Sequence, residues 1–402
     1  MKYHYKARNS KGDPSSGIIE SSSPEFVVEM LHRHNLIVTD LGEAEKVPLY
    51  SKKIKIFPER IKTKELVFLF KQLSSLFSAN VPLIEALTAV SKQTSNDFLR
   101  QVLLDIASDV DGGMAFSEAL SHHSKTFSPF IVNLIRTGEA VGNLGRVLEH
   151  LSNHIERNYN LTAKIKGAMY YPAFIIVAIV LVVIIMLVFV LPQMSGMFED
   201  FGVELPLPTK ILMILSNFLI NYGWTLIIIL SFLFVLVWRY LKTSSGQRIK
   251  SIVEIKFPVT GSLFQKIYLS RLAENLSTLM KGGLSIVRSL EIVAEVVGNT
   301  LYRDVLKEAQ DTVRRGETIF SAFDKSEIIP PTFSQMISSG EKSGKIQDVL
   351  LDLAKFYSTE VNTTVNNLMS LLEPLLIALM AVMVGFVAAA VLLPVYQLAG
   401  SI

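Results

Sequence analysis

Three long apolar runs stand out from a chain whose other hydrophobic residues are spaced among polar ones. They cover residues 173–191, 218–238 and 375–393, and the first of them contains no charged or strongly polar side chain. About 20 residues of α-helix cross the hydrocarbon core of a bilayer. Each run is therefore predicted to span a membrane, with Trp224 and Trp238 placed as interfacial anchors of the second span.

Outside these runs, the apolar residues follow the period of an α-helix. Such stripes occur at Leu66, Leu69, Leu73, Leu76 and Phe77, at Val102, Leu103, Ile106 and Val110, and at Leu144, Val147, Leu148, Leu151 and Ile155. Turn signals separate the stripes near residues 79–82, 112–113 and 138. The pattern predicts a series of amphipathic helices packed as antiparallel hairpins.

The chain repeats itself at a nearly constant distance. Residues 138–142 read Gly-Glu-Ala-Val-Gly and residues 340–344 read Gly-Glu-Lys-Ser-Gly, an offset of 202 from 138 to 340. Residues 73–87 match 276–290 at an offset of 203. The repeat predicts two helical domains of about six helices, at 63–171 and 267–373, which lead into spans at 172–191 and 374–394. The span at 218–238 is an insertion that returns the chain to the starting side.

The first residues have a different character from the repeats. Residues 3–7, 18–20 and 36–41 are predicted to be strands, and Ser23-Pro24-Glu25 has the composition of a helix start. We expect a small α+β module at 1–45, followed by a basic linker at 46–62. No cleavable signal peptide is visible, so the internal helices are expected to target the chain to the membrane.

The distribution of charge predicts the orientation. Lys164 and Lys166 precede the first span, and several Lys and Arg residues follow the second span within the linker at 239–266. The loop at 192–217 instead carries Glu199, Asp200 and Glu204. The positive-inside rule places the N-terminus and both helical domains in the cytoplasm. It places the loop at 192–217 and the tail at 395–402 outside.

Composition agrees with a membrane protein that has no obvious chemistry of its own. Half of the residues are hydrophobic and the mean hydropathy is +0.39, which leaves little polar surface for a soluble chain of 402 residues. Cysteine is absent, which excludes disulfides and thiolate metal sites. The predicted fold class is a mainly α, polytopic membrane protein with two repeated cytoplasmic six-helix bundles, three transmembrane helices and a small α+β module.

Two patterns have a superficial likeness to catalytic or binding motifs. His150 and His154 lie four residues apart, but Leu151 stands where a zinc-protease motif has glutamate, and we interpret both histidines as part of a solvated face. The segment at 339–345 resembles a phosphate-binding loop but offers Ile346 where a hydroxyl should follow the lysine. We expect no catalytic residue, no metal and no cofactor, and no enzymatic activity.

The Gly-Glu-x-x-Gly element is the first group of candidate contact residues. Its members are Gly138, Glu139, Gly142, Gly340, Glu341 and Gly344. The first glycine of each element is expected to end a helix in a left-handed conformation, and the second to permit a tight start of the next helix. The glutamates are placed to accept free amides at a helix start. A role in turn geometry alone and an additional role as a partner surface both remain open.

The second group lies where a helix is predicted to enter the membrane. Pro172 and Pro374 occupy equivalent positions, and proline there is expected to set a bend or a helix start. Glu373 precedes the second proline and places an ionisable group at the membrane edge. We include these three residues among the candidates.

These motifs together resemble a known family. Two helical copies, each with a Gly-Glu-x-x-Gly turn and a proline before a span, are similar to the inner-membrane platform proteins of bacterial type II secretion systems and type IV pili. Residues 5–21, which read YKARNSKGDPSSGIIES, and the 72–87 segment carry the same likeness. The chain departs from the family at Ala79-Asn80, where the second copy has Gly282-Gly283, so the first turn is expected to be less tightly bent.

The resemblance implies a mechanical role in the bacterial inner membrane. Members link a cytoplasmic hexameric ATPase to pilin or pseudopilin subunits and feed these subunits into a fibre. Other inner-membrane assembly components, the lipid bilayer and further copies of the chain are implied as partners, and nucleic acid is not. Alternatives from other classes are a membrane-anchored enzyme or signalling scaffold, and a secondary transporter. A transporter fits less well because the repeated mass lies outside the apolar spans.

Overall fold

The computed structural model describes residues 2–9, 14–20, 24–33, 36–43, 61–193, 207–258 and 260–400. The chain divides into two compact units, Met1–Arg60 and Ile61–Ile402. Most of the predicted linker (46–60), part of the predicted outer loop (194–206) and the last two residues lie outside the described residues. Glu199, Asp200 and Glu204, the acidic residues that contribute to the predicted orientation, lie in this part of the loop and are outside the described residues.

The described residues of the first unit form a three-stranded antiparallel sheet and one helix. Its elements are β1 (Lys2–Asn9), β2 (Pro14–Glu20), α1 (Pro24–Arg33) and β3 (Leu36–Glu43). The sheet order is β2-β1-β3, with Tyr3 opposite both Ile19 and Glu43. Val27 and Leu31, one helical turn apart, are buried. This is the α+β module that the sequence predicts, with a second strand that begins earlier than residue 18.

The first copy contains six helices, as predicted. They are α2 (Thr63–Ser78), α3 (Leu83–Gln93), α4 (Asp97–Asp111), α5 (Phe116–His122), α6 (Pro129–Val141) and α7 (Leu144–Gln193). Within α7, residues Met186–Val190 form one π-helical turn. The predicted stripes face the core, because Leu69, Leu73, Leu148 and Leu151 are buried.

An insertion of two helices, α8 (Leu207–Tyr240) and α9 (Ser244–Lys256), separates the copies. The second copy then contains α10 (Gly261–Lys281), α11 (Ile286–Val296), α12 (Thr300–Arg314), α13 (Ile319–Phe323), α14 (Pro331–Ser343) and α15 (Ile346–Gly400). Equivalent caps support the duplication. Asn96 accepts the N–H groups of Phe98 and Leu99, and Asn299 does the same for the first turn of α12.

The two copies share one hydrophobic core. A single cluster of buried side chains includes Leu134 and Ile135 of the first copy together with Leu276 and Leu279 of the second. The contact is asymmetric in the described residues: α6 and α7 of the first copy meet α11, α10 and α15 of the second. The domains that the sequence separates are therefore packed as one body.

Within the described ranges, three helices are long and apolar enough to cross a membrane, as predicted, but their ends differ from the prediction. α7 is one helix of 50 residues. α8 already begins at Leu207, inside the predicted outer loop, because Ile211, Leu212 and Met213 extend its apolar sequence. α9 and the start of α10 lie in the predicted cytoplasmic linker, and α15 continues into the predicted tail as far as Gly400.

A hydrogen bond joins the first two spans at the π-helical turn. Ser216 of α8 is buried, and its hydroxyl donates to the carbonyl oxygen of Leu187 over 2.5 Å. Leu187, Leu191 and Leu212 are buried around it. A π-helical turn displaces carbonyl groups from regular pairing, and in hydrocarbon an unpaired carbonyl is costly. The serine supplies the missing donor.

Candidate functional site: the Gly-Glu turns and the junction between copies

Each Gly-Glu turn ties two helices together through its glutamate. The carboxylate of Glu139 in α6 accepts the N–H groups of Phe116 and Ser117, at 2.6 and 3.0 Å, at the start of α5. Glu341 in α14 accepts those of Ile319 and Phe320 at 2.6 and 3.1 Å. As predicted, the glutamates accept amides at a helix start. The helices concerned, α5 and α13, come before the glutamates in the chain. Each carboxylate thus satisfies two of the four unpaired amides of a short helix.

The two glycines of each element have roles opposite to those predicted. Gly142 and Gly344 are the left-handed caps, with φ of 70° and 69°, that end α6 and α14. Gly138 and Gly340 instead lie inside these helices and are buried. A Cβ on Gly138 would lie 2.9 Å from Val147, and one on Gly340 would lie 3.1 Å from the Cα of Ile346. The first glycine therefore permits close contact between consecutive helices.

The turn at Ala79-Asn80 is as tight as its counterpart, which corrects the expectation from the sequence. Asn80 has a φ of 59° and Gly283 a φ of 97°. The Asn80 N–H bonds to the Phe77 carbonyl and the Gly283 N–H to the equivalent Met280 carbonyl, both over 3.0 Å. Asparagine tolerates the left-handed conformation better than other residues with a side chain, so the same turn forms without glycine.

Neither membrane-edge proline ends or begins a helix. Pro172 lies inside α7 and is buried, and Pro374 lies inside α15 and is exposed. Of the predicted bend or helix start, the helix start is therefore wrong, and each helix continues from its bundle into its span. Helices that enter a bilayer tolerate proline where other groups satisfy the freed carbonyl. Glu373 is exposed beside Pro374.

The predicted solvated face at His150 and His154 is wrong for His154. His150 is half-buried, whereas the ring of His154 is buried and lies 4.6 Å from that of Phe130. Its Nδ1 is 3.7 Å from an oxygen of Glu274, in the second copy. The contact between the copies covers this face of α7. The hydrophobic pattern of the first copy alone does not predict that contact.

Glu274 is the central residue of a charged group at the junction. It is 8% exposed, and Arg157 of α7 donates to it from Nε over 2.5 Å. Burial acts to raise the pKa of the Glu274 carboxyl, but the interactions with His154 and Arg157 outweigh burial and hold this pKa below its ordinary value. Glu274 is thus ionised and joins the two copies through a charge-assisted hydrogen bond.

A second contact at the junction explains a difference between the copies. Gly282, at the end of α10, packs against Leu134 of α6, and a Cβ at Gly282 would lie 2.3 Å from Leu134 Cδ1. The equivalent residue of the first copy, Ala79, is exposed and tolerates its Cβ. Arg288 adds a 3.1 Å hydrogen bond to Asn133 across the same contact. Sequence reasoning noticed the glycine pair but assigned it to turn geometry alone.

The six Gly-Glu residues form two separate sites, one at the end of α6 and one at the end of α14, and the proline group lies farther along the long helices. Sequence reasoning missed Arg157 and Glu274 altogether. Glu274 is the one acidic residue in the sequence of α10, where many residues are apolar, and this isolated acid could have indicated a buried charge. In the described ranges, no group of three or more His, Cys, Asp or Glu residues is arranged to hold a metal ion.

Comparison with known proteins gives matches over almost the whole chain. The family model for type II secretion system protein F matches residues 69–192 and again 272–394, and the model for its N-terminal domain matches 1–42. The two matches to one model coincide with the two helical copies. Together they cover well over half of the sequence.

Individual relatives are similar from end to end. A type IV pilus assembly protein PilC of Thermus thermophilus is 32% identical over 401 residues, which is 100% of this chain and 98% of the relative. The type IV pilus assembly protein TapC of Aeromonas hydrophila is 31% identical, with 98% and 95% covered. The type II secretion system protein F of Vibrio cholerae is 29% identical, with 98% of both chains covered. On its duplicated helical bundles, its three spans and these matches, the chain is an inner-membrane protein that belongs to the type II secretion system protein F family.

Proposed function

We propose that this chain is the membrane platform of a type II secretion or type IV pilus machine and couples a cytoplasmic hexameric ATPase to fibre assembly. The names of the relatives in both kinds of machine support the role. In this proposal the chain performs no catalysis itself. Pilin or pseudopilin subunits, other inner-membrane components and further copies of the chain are its partners.

The observation that carries the coupling is the continuity of the long helices. α7 extends from the core of the first copy into the first span without interruption, and α15 does the same for the second copy. A helix of 50 residues is about 75 Å long. Because both copies share one core, a displacement applied to the bundles moves both spans together. This is the property required to transmit mechanical work into the bilayer.

The proposed orientation places both bundles in the cytoplasm, where an ATPase can reach them. The basic residues that precede α7's span and follow α8's span support it. Labelling of single cysteines at Ser339 and Ser124, both exposed, tests it in intact cells. Both positions are expected to resist a membrane-impermeant reagent until the cells are opened. Reaction of either one from outside would contradict the orientation.

A binding experiment tests the coupling with the full-length chain in lipid nanodiscs. The secretion or pilus ATPase of the same cell is expected to bind it saturably and to change its rate of ATP hydrolysis. Absence of both effects would contradict the coupling, while the family assignment would stand.

Variants at the first Gly-Glu turn distinguish a partner surface from a structural turn. Val141 is 69% exposed beside Gly142, so Val141→Asp changes the surface and leaves the Glu139 bonds in place. If the turn contacts the ATPase, Val141→Asp weakens binding about tenfold, roughly one apolar contact. Val253→Asp, 53% exposed on α9, is the matched control. Equal binding by both variants and the wild type would limit the turn to a structural role.

A further inference from the structure

A cleft of about 380 Å³ opens between the two long helices just outside the bilayer. Its walls are α7, near Arg157 and Lys164, and α15, near Lys355 and Asn362, and Glu274 of α10 lies at its back. Leu161, one of the lining residues, packs with Val361 and Val365 in a small apolar cluster beside the cleft.

The charge of the cleft is positive and partly unpaired. Arg157 and Glu274 neutralise each other through their 2.5 Å hydrogen bond. Among the described residues Lys164 forms no ion pair, and Lys355 has only Asp352 at 3.8 Å, with both side chains two-thirds exposed. An exposed pair at that distance contributes little. Two lysine charges therefore remain available to an anionic ligand.

The remaining lining favours a peptide over a phosphate or a lipid headgroup. Asn160, Asn362 and Ser358 offer both donors and acceptors of hydrogen bonds, as a peptide backbone does. The phosphodiester of a lipid headgroup has only acceptors and would leave the side-chain carbonyl oxygens of Asn160 and Asn362 without a donor, whereas a peptide N–H supplies one. Lys164 is nine residues, or about 13 Å along α7, from Ala173, where the apolar run begins.

We propose that this cleft binds an extended acidic peptide segment of a partner protein. Acidic side chains pair with Lys164 and Lys355, and the backbone bonds to the asparagines on the two walls. Because the walls belong to different copies, such a segment bridges α7 and α15 where they approach the membrane. The proposal is independent of the ATPase coupling, because it concerns a different surface and its test needs no ATPase.

A fluorescent hexaglutamate peptide and the full-length chain in nanodiscs of neutral phosphatidylcholine provide the test, with fluorescence anisotropy as the readout. The Lys164→Gln/Lys355→Gln double variant is expected to bind the peptide about tenfold more weakly than the wild type, because two charge contacts are lost. Lys307→Gln is the control: Lys307 lies on α12, which contributes no lining residue, and it is exposed and forms no ion pair among the described residues. It is expected to bind within about twofold of the wild type.

Three results would overturn the proposal. The first is equal binding by the double variant and the wild type, and the second is an equal loss in Lys307→Gln, which would indicate nonspecific attraction. The third is a failure of the peptide to bind, combined with a second measurement in nanodiscs that contain phosphatidylglycerol, in which this lipid is enriched around the wild type and not around the double variant. That result would make a lipid headgroup the occupant. Equal thermal unfolding temperatures of all variants establish that the fold is unchanged.

Discussion

Arg157 of the first copy and Glu274 of the second form the most direct polar link between the two halves of the molecule. The guanidinium Nε donates to the carboxylate over 2.5 Å, and the carboxylate is almost completely buried while the arginine side chain is half exposed. The residues are 117 positions apart in the sequence. The link fixes α7 to α10, and both of these helices belong to the rigid body that we propose transmits force.

Removal of the arginine should destabilise the protein in a way that depends on pH. Arg157→Gln removes the hydrogen-bonded partner of the buried Glu274 carboxylate and leaves it with His154 at 3.7 Å and the charge of Arg271, which costs about 1–3 kcal/mol at neutral pH. The folded-state pKa of Glu274 lies below its ordinary value of 4.5, so its stabilising contribution is present above that pH and is lost as the pH falls through the lower, folded-state pKa. The difference between variant and wild type is therefore expected to shrink in acid.

Thermal unfolding of both proteins in detergent between pH 7 and pH 3, followed by circular dichroism, measures this difference. Arg303→Gln is the control, because Arg303 is exposed and pairs only with its neighbour Asp304 at 3.6 Å. A constant difference for Arg157→Gln across the pH range would contradict the assigned role of Glu274.

Gly282→Ala should loosen the junction between the copies. The added Cβ would overlap Leu134, which is fully buried, and overpacking of this kind costs about 1–3 kcal/mol. Ala79→Gly is the matched control at the equivalent turn of the first copy, where the residue is exposed and faces no second copy. Limited proteolysis and thermal unfolding measure the effect. If Gly282→Ala is as stable and resistant as the wild type, the contact is not tightly packed.

Gly138→Ala should be destabilising even though alanine favours helices. The added methyl group would lie 2.9 Å from Val147, and we expect a net loss of about 1–2 kcal/mol. Gly167→Ala makes the same change in α7, with no atom within 4 Å of the new methyl group. It should stabilise the chain by up to about 1 kcal/mol. Chemical unfolding of the two variants should therefore shift in opposite directions, and a shift of both in the same direction would refute the close contact.

Ser216→Ala should weaken the contact between the first two spans. The carbonyl of Leu187 then loses its hydroxyl donor, and hydrogen bonds between membrane helices contribute about 0.6–1.7 kcal/mol. Ser231→Ala, on the exposed surface of the same helix, should have no measurable effect. Unfolding in mixed micelles of increasing denaturing-detergent content gives both values. Equal values for the two variants would indicate that the π-helical turn needs no external donor.

Local patterns in the sequence predict most of the elements, because each depends on residues near one another in the chain. The apolar stripe at Leu69 and Leu73 faces the core, and the duplication emerges as two bundles of six helices. Boundaries were less accurate. At Pro172 the pattern predicted a bend or a helix start, and the helix start is wrong because α7 continues through this proline.

The amino-acid sequence by itself determined the duplication, the three spans, the α+β module and the family, because hydrophobic period and repeated motifs are properties of the linear chain. Only the tertiary structure decided which residues join the copies. Gly282 faces Leu134, and Glu274 faces Arg157 and His154, because one copy packs asymmetrically on the other. Contacts between residues more than 100 positions apart leave no periodic trace in a single sequence, and their energies depend on burial that exists only after the two bundles meet.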